Sequence, residues 1–339
     1  MKKIIALIVS LITVFTLTSF SACSKDNDGK LTVYAPDGAP ALSIARLLND
    51  KTLLDGKFDY KIVTATTINA YVTGENAIAD IAIMPVNAGV KMLGDGSTYK
   101  MLGTVTNGNL FILKKQNGED ILTTLDLTKL IGKTVGVINL ANVPGLTFKA
   151  ILNDNQIPFT TLSDGGVVDP NKVNLKGLTA GTEIVPNSTC DYFIEPEPAV
   201  TTKINMTNGK ILLSGSLQAL YGDGNGYPQA VVVAKNSVIS TSRDLINKFI
   251  NSFVDNKAWL LDENTSAETI VNAVSNSFLK DDTAPTFTAS NLNKTVIINS
   301  AISFTSAQNA KVAVLNYMQK INAISNNSFG TPSDAFFYQ

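Results

Sequence analysis

Three times along this chain a short apolar strand pattern runs through a proline-bearing turn and restarts at once at helical spacing. KLTVYAP gives way through PDGAP to ALSIARLLND; ADIAIMPVNAGVKML passes through Pro85 and Asn87; KTVGVINLANVPGLTFKAIL passes through LANVPG. Pro40 suits the first turn of a helix, where its missing N–H costs nothing, and Gly38 lets the chain turn sharply. A helix that starts this close to a strand leaves free N–H groups, around Ala41 and Leu42 in the first copy, aimed into the space beyond the strand end. A single junction of this kind is equally well read as an ordinary tight connection with water on those groups. Three of one design predict open, mostly parallel α/β sheets with one ligand cleft beyond the C-terminal strand ends. The residues expected there are Asp37, Gly38, Ala39, Pro40, Pro85, Val86 and Asn87, then Asn139, Ala141, Asn142 and Val143. Asn107 joins them from TVTNGNLFILKK, two strand-like runs around a TNGN turn.

A chain of 339 residues exceeds what one compact core usually needs, which suggests two lobes. The pattern predicts strands at 31–35, 59–64 and 80–84, alternating with helices at 40–49, 68–75 and 86–93. EDILTTLDLTKLIGK reads as the entry to a second domain, which continues through a helix at 144–154, a polar Gly-rich stretch near 163–181 and the strand in CDYFIEPEPAV. QAVVVAKN, residues 229–236, returns as a strand, and the remainder reads as mostly helical. No period of 20 to 50 residues repeats, so a solenoid is not expected.

The sequence contains no histidine, which removes Ser-His-Asp and Cys-His nucleophile systems, histidine metal sites and histidine proton shuttles together. Arg46 and Arg243 are the only arginines, so bidentate guanidinium clamps on phosphate or sulfate are scarce. With a net charge of −1 and no basic stripe, nucleic acid is not an expected partner. No cofactor, catalytic set or metal site is expected. At the N-terminus, Lys2 and Lys3 precede the apolar run 4–20 and then FSACS, as in a targeting segment. Ser21-Ala22-Cys23 resembles the lipobox of bacterial lipoproteins, with Phe20 where leucine is usual. The expectation is a leader at 1–22, lipidation of Cys23 and a polar tether at 23–30. Cys190, the other cysteine, is then left without a partner, and loss of Lys2 and Lys3 leaves 25 basic against 28 acidic residues, a net −3.

Lipobox, PDGAP junction, ADIAIMPVNAG, LIGKTVGVINLANVPGLTFKAIL, DYFIEPEP and the returning YPQAVVVAK follow one another as in substrate-binding proteins of ABC transporters. Over residues 30–260 the chain resembles the group that binds nitrate, sulfonates, taurine and thiamine pyrimidines, which has the type II periplasmic binding protein fold. That resemblance implies two α/β lobes closing on a solute and presenting it to a membrane permease. It divides the chain into lobe 1 at 31–112 plus 229–339 and lobe 2 at 113–228, with hinges near Leu110 to Lys114 and Gly226 to Val232. It also implies a monomeric extracytoplasmic lipoprotein held to the bacterial cell membrane by its anchor. The alternatives are a surface interaction lipoprotein that transports nothing and an enzyme built on the same fold.

Glu195 stands directly after the strand pattern of DYFI. It is read either as an acceptor for an amine, amide or amino-heterocycle of the solute or as a solvated acid at a helix N-terminus. Glu195 and Glu197 are only two apart and flanked by prolines, a poor arrangement for acid–base work. YGDGNGYPQ, residues 221–229, has one carboxylate and no GK[ST], which favours a flexible hinge approach over a cation or phosphate loop. Tyr227 within it is expected to face the cleft and stack on a planar solute, and Trp259 to lie in the core. The resemblance leaves nitrate, sulfonates, bicarbonate and aminopyrimidines open as solutes; few arginines lean against strong anions, and Glu195 leans toward a neutral or amine-bearing molecule.

Overall fold

The structure, a computed structural model, describes residues 29–74, 77–163, 165–280 and 284–339; the expected leader, Cys23 and most of the tether lie outside them. β1 (Leu31–Pro36) is buried along nearly its whole length, as a parallel strand covered on both faces must be. Two short helices, α1 (Ala39–Leu42) and α2 (Ala45–Asn49), lead to β2 (Phe58–Val63), and β3 (Ile81–Pro85) runs without a loop into α3 (Val86–Leu93) and on to β4 (Tyr99–Thr106). The middle of the chain supplies β5 (Leu110–Lys115), β6 (Thr134–Ile138), α4 (Val143–Asp154), β7 (Phe159–Leu162), β8 (Val173–Leu178), β9 (Tyr192–Pro196), α5 (Ala199–Met206), β10 (Ile211–Ser216) and α6 (Leu217–Leu220). The last part supplies β11 (Ala230–Lys235), α7 (Asn236–Thr241), α8 (Arg243–Leu261), α9 (Ala267–Ser275), α10 (Lys294–Asn299), β12 (Ile302–Ser306) and α11 (Ala307–Ala323).

The strands form two six-stranded sheets in the orders β12-β4-β11-β3-β1-β2 and β10-β5-β9-β6-β8-β7. In the first, β1 to β3 are parallel and β11 runs antiparallel between β3 and β4. In the second, β6 to β9 are parallel and β5 is antiparallel beside β9. The chain crosses between sheets at residues 107–109 and returns at 221–229. β5 therefore lies wholly in the second sheet, and the first crossing comes just before the stretch Leu110 to Lys114 in which a hinge was expected. The crossings are tied together: Gln229 donates from its backbone N–H to the Thr106 carbonyl at 3.0 Å and from Nε2 to Asn109 Oδ1 at 2.7 Å.

Two sequence expectations are corrected, and two further stretches contain a strand. The helix expected at 40–49 is broken because the Asn256 carboxamide, from α8, inserts in place of one helical hydrogen bond. Its Oδ1 accepts from Arg46 N–H at 2.9 Å and its Nδ2 donates to the Leu42 carbonyl at 3.0 Å, so both separated groups stay satisfied. The helix expected at 68–75 is a single 3-10 turn, Ile68–Tyr71. The polar stretch at 163–181 contains β8, and the tail, mostly helical as expected, also contains β12. β8 was hidden by Asn174 at an interior position. That side chain is wholly buried yet satisfied, accepting from Asp169 N–H at 2.8 Å and donating to the Asp169 and Lys172 carbonyls at 2.9 Å. Trp259, a half-buried residue of α8, packs against the core that includes β1 to β3, and Cys190 is a buried free thiol. Among the described residues no helix is long and apolar enough to cross a membrane.

A further link joins the sheets through helices. α11, which packs on β4, also packs on α4 of the second sheet. Tyr317 and Thr147 share a hydroxyl hydrogen bond at 2.8 Å, both fully buried, and Lys320 pairs with Asp154. Tyr317→Phe leaves the Thr147 hydroxyl buried without its partner, so a loss of about 1–3 kcal/mol is expected from urea unfolding. The double variant Tyr317→Phe/Thr147→Val should recover part of that loss; additive losses would mean that the hydroxyl pair is not a unit.

Candidate functional site

Two of the three strand-to-helix junctions meet. β3 ends at Pro85, which is also the residue before α3, and Val86 N–H donates to the Gln229 carbonyl at 3.0 Å, leaving Asn87 and Ala88 as the first free N–H groups of that helix. Opposite, β6 ends at Ile138 and the chain reverses at Asn139, whose φ of 54° is left-handed and tolerable for asparagine. Asn142 N–H closes that turn on the Asn139 carbonyl at 2.8 Å, and α4 starts at Val143 with Pro144 in its first turn. Asn142 caps α4 by its backbone alone, so its carboxamide and the Val143 and Gly145 N–H groups have no partner within the helix.

Between these termini lies a cavity of about 370 Å³. Its first-sheet wall is Ala65, Thr66, Asn69, Pro85, Asn87 and Ala88; its second-sheet wall is Asn139, Asn142, Val143 and Pro144. None of these side chains ionises. The Oδ1 atoms of Asn69 and Asn87 are buried without a hydrogen-bond partner, and Asn87 is 4% exposed. Such groups are costly to leave unmade, so these two side chains add polarity to the wall without adding to its hydrogen-bonded framework. Two helix N-termini favour an electron-rich group between them, and the carboxamides can donate or accept around it.

No family model matches the chain, and no curated protein matches it. Solved structures do. An ABC transporter protein from Parabacteroides distasonis superposes with a TM-score of 0.69 at 15% identity, over 92% of this chain and 99% of that one. The periplasmic aliphatic sulphonate binding protein SsuA of Escherichia coli gives 0.62 at 13%, covering 92% of each chain. This chain has the two-lobed periplasmic binding protein fold. SsuA from Xanthomonas axonopodis pv. citri, bound to MOPS, matches the same fold with a TM-score of 0.56 at 11% identity, over 91% of this chain and 98% of that one.

Within the periplasmic binding protein fold the remaining sequence candidates take other places. The Asp37 carboxylate is engaged, accepting from Gly38 N–H at 2.8 Å and from Thr286 N–H at 2.7 Å, so it ties the β1–α1 junction to the segment before α10. Gly38, Ala39 and Pro40 sit in that tie, and neither they nor Val86 and Ala141 line the cavity. Asn107 is at the first crossing, where its Nδ2 donates to Ser303 Oγ at 2.7 Å. Tyr227 is 1% exposed; its ring stacks on Tyr317 at 5.9 Å and meets Tyr221 edge-on at 5.6 Å, so no face is left for a planar solute. Glu195 lies at the cleft-side end of β9, paired in register with Phe111, with Oε1 against Gly181. It is 3% exposed, and burial pushes its carboxyl up to about 7, with Lys203 pulling the other way. Glu197 is structural: it accepts from Thr201 N–H and Oγ1 at 3.1 and 2.9 Å and from Asn299 Nδ2 at 2.9 Å, joining the β9–α5 turn to α10.

Sequence reasoning missed Ala65, Thr66, Asn69, Ala88 and Pro144. The first three follow β2 in TATTIN, a fourth strand-to-helix junction, but one without the proline or glycine that drew attention to the others.

Proposed function

We propose that this chain is an extracytoplasmic solute-binding lipoprotein, anchored through Cys23, that captures a small molecule between its two sheet-centred lobes and delivers it to an ABC transporter permease. One observation carries the reading: helix N-termini from two different sheets converge on a single uncharged cavity, walled by Asn69 and Asn87 on one side and Asn139, Asn142 and Val143 on the other. A solute touching both walls stabilises the closed arrangement over any open one, and closure is what a permease can read. Dipoles and carboxamides rather than cations would hold it, so affinity should change little with ionic strength.

Native mass spectrometry of the chain from Ser24 onward, purified from cells and compared with the denatured sample, tests this. A discrete mass lost on denaturation identifies the solute. No retained mass, together with no thermal shift across a panel of sulfonates, oxyanions and aminopyrimidines, would remove solute capture and leave a surface interaction lipoprotein. Once a solute is in hand, Asn87→Ala should weaken its binding about tenfold, the loss of one well-made hydrogen bond. The unliganded melting temperature should hardly fall, because the Asn87 amide oxygen has no partner to lose. Equal weakening of fold and binding would make Asn87 a packing residue.

A further inference from the structure

We infer that a second binding site, on the joint between the sheets, takes a small amphipathic carboxylate. The site is a cavity of about 500 Å³, separate from the strand-end cavity and lined by none of its residues. Its wall is aliphatic: Leu260 and Leu261 end α8, Ile297 and Ile298 end α10, and Ile302 begins β12. Its opposite side is the second crossing at Gly224 to Gly226, with Gln218 of α6. The occupant would thus lie between helices of the first sheet and the segment that leads back from the second.

Two features give the occupant its chemistry. Ile298 is 64% exposed beside buried Ile297, so the wall presents apolar surface to solvent rather than burying it. Among the described residues Lys257, exposed on α8, is the only ionisable residue of the lining and makes no ion pair, whereas Arg46 of α2 is paired with Asp255. Lys257 is thus the one charge on this lining, and it favours an anionic head over a neutral one. An apolar body and one carboxylate describe a short-chain carboxylic acid, of which an N-acyl amino acid is a soluble form.

The probe is N-hexanoylglycine, titrated into the chain from Ser24 onward with isoleucine δ1 methyls labelled for NMR; its methyl ester, which lacks the charge, is the comparison. Saturable shifts of the Ile297, Ile298 and Ile302 methyls are expected with the acid and not with the ester. Lys257→Gln should weaken the acid roughly fivefold, as an exposed pairing is worth, with methyl shifts elsewhere unmoved to show an intact fold. Ile298→Asp should remove binding by placing a carboxylate in the wall. Absence of saturable shifts at these three methyls, equal response to acid and ester, or an affinity unchanged by Lys257→Gln would each overturn the inference. None of these readouts depends on whether the strand-end cavity binds a solute.

Discussion

Replacing Gly145 with alanine is expected to destabilise the protein by about 3 kcal/mol, at the upper end of overpacking costs, and to weaken solute capture with it. A Cβ at this position would overlap the Leu140 carbonyl oxygen and lie 2.5 and 2.6 Å from the Leu140 carbonyl carbon and Cα. All three are backbone atoms, so no side chain can swing aside. Either the turn at 139–142 lifts or α4 shifts along its axis, and α4 is held further along by the Thr147–Tyr317 hydroxyl pair and the Lys320–Asp154 ion pair. The turn is the weaker party and should give way, carrying Asn139 and Asn142 out of the cavity wall. Gly177→Ala is the matched control. Its Cβ would meet the Leu140 side chain at 3.8 Å, an ordinary contact, and a change within about 0.5 kcal/mol is expected. Urea unfolding midpoints at constant slope measure both variants. A Gly145→Ala midpoint equal to that of Gly177→Ala would mean that the junction is not held by close backbone approach.

The junctions were legible because their signals are local. Apolar alternation, a proline at the helix start and an asparagine at the turn lie within a dozen residues of one another, and they placed Pro85, Asn87, Asn139, Asn142 and Val143 in a common region that the structure shows as one cavity. What was not legible depends on partners distant in sequence. Asn256 breaks the first helix from 210 residues away. Tyr227 is claimed by Tyr317, ninety positions along, so an aromatic that looked free to stack on a ligand is stacked on its own protein. Asp37 is claimed by Thr286, which the β1–α1 sequence cannot announce. β12 lies in a polar segment, and its strand character comes from its edge pairing with β4 rather than from its composition. Of the two readings of Glu195, the structure excludes only the solvated acid. It is not solvated, and it does not line the strand-end cavity.

Glu195→Gln is expected to stabilise the protein at neutral and alkaline pH by on the order of 3 kcal/mol and to leave it nearly unchanged in acid. The carboxyl ordinarily titrates at 4.5 and here is pushed up to about 7, first by removal from water and against the pull of Lys203. Between those two values the folded chain keeps a proton that the unfolded chain has released, so stability falls as pH rises through that window. The contribution is fully present below 4.5 and gone above about 7, where folding must bury a charge. A gap of this size corresponds to on the order of 3 kcal/mol. Glutamine carries no charge at any pH, so the difference between variant and wild type in urea should open from near zero around pH 4 to its full value around pH 8. Parallel profiles would mean that the carboxylate is hydrated when ionised. The same group separates two roles at the cleft. An amine-bearing solute docking against Glu195 would ionise it, and binding near pH 7 would release a proton, visible as a dependence of the calorimetric heat on the buffer's ionisation enthalpy. Heats that do not change with buffer would assign Glu195 to the packing of β9 under α5 and leave solute recognition to the asparagines and helix termini of the strand-end cavity.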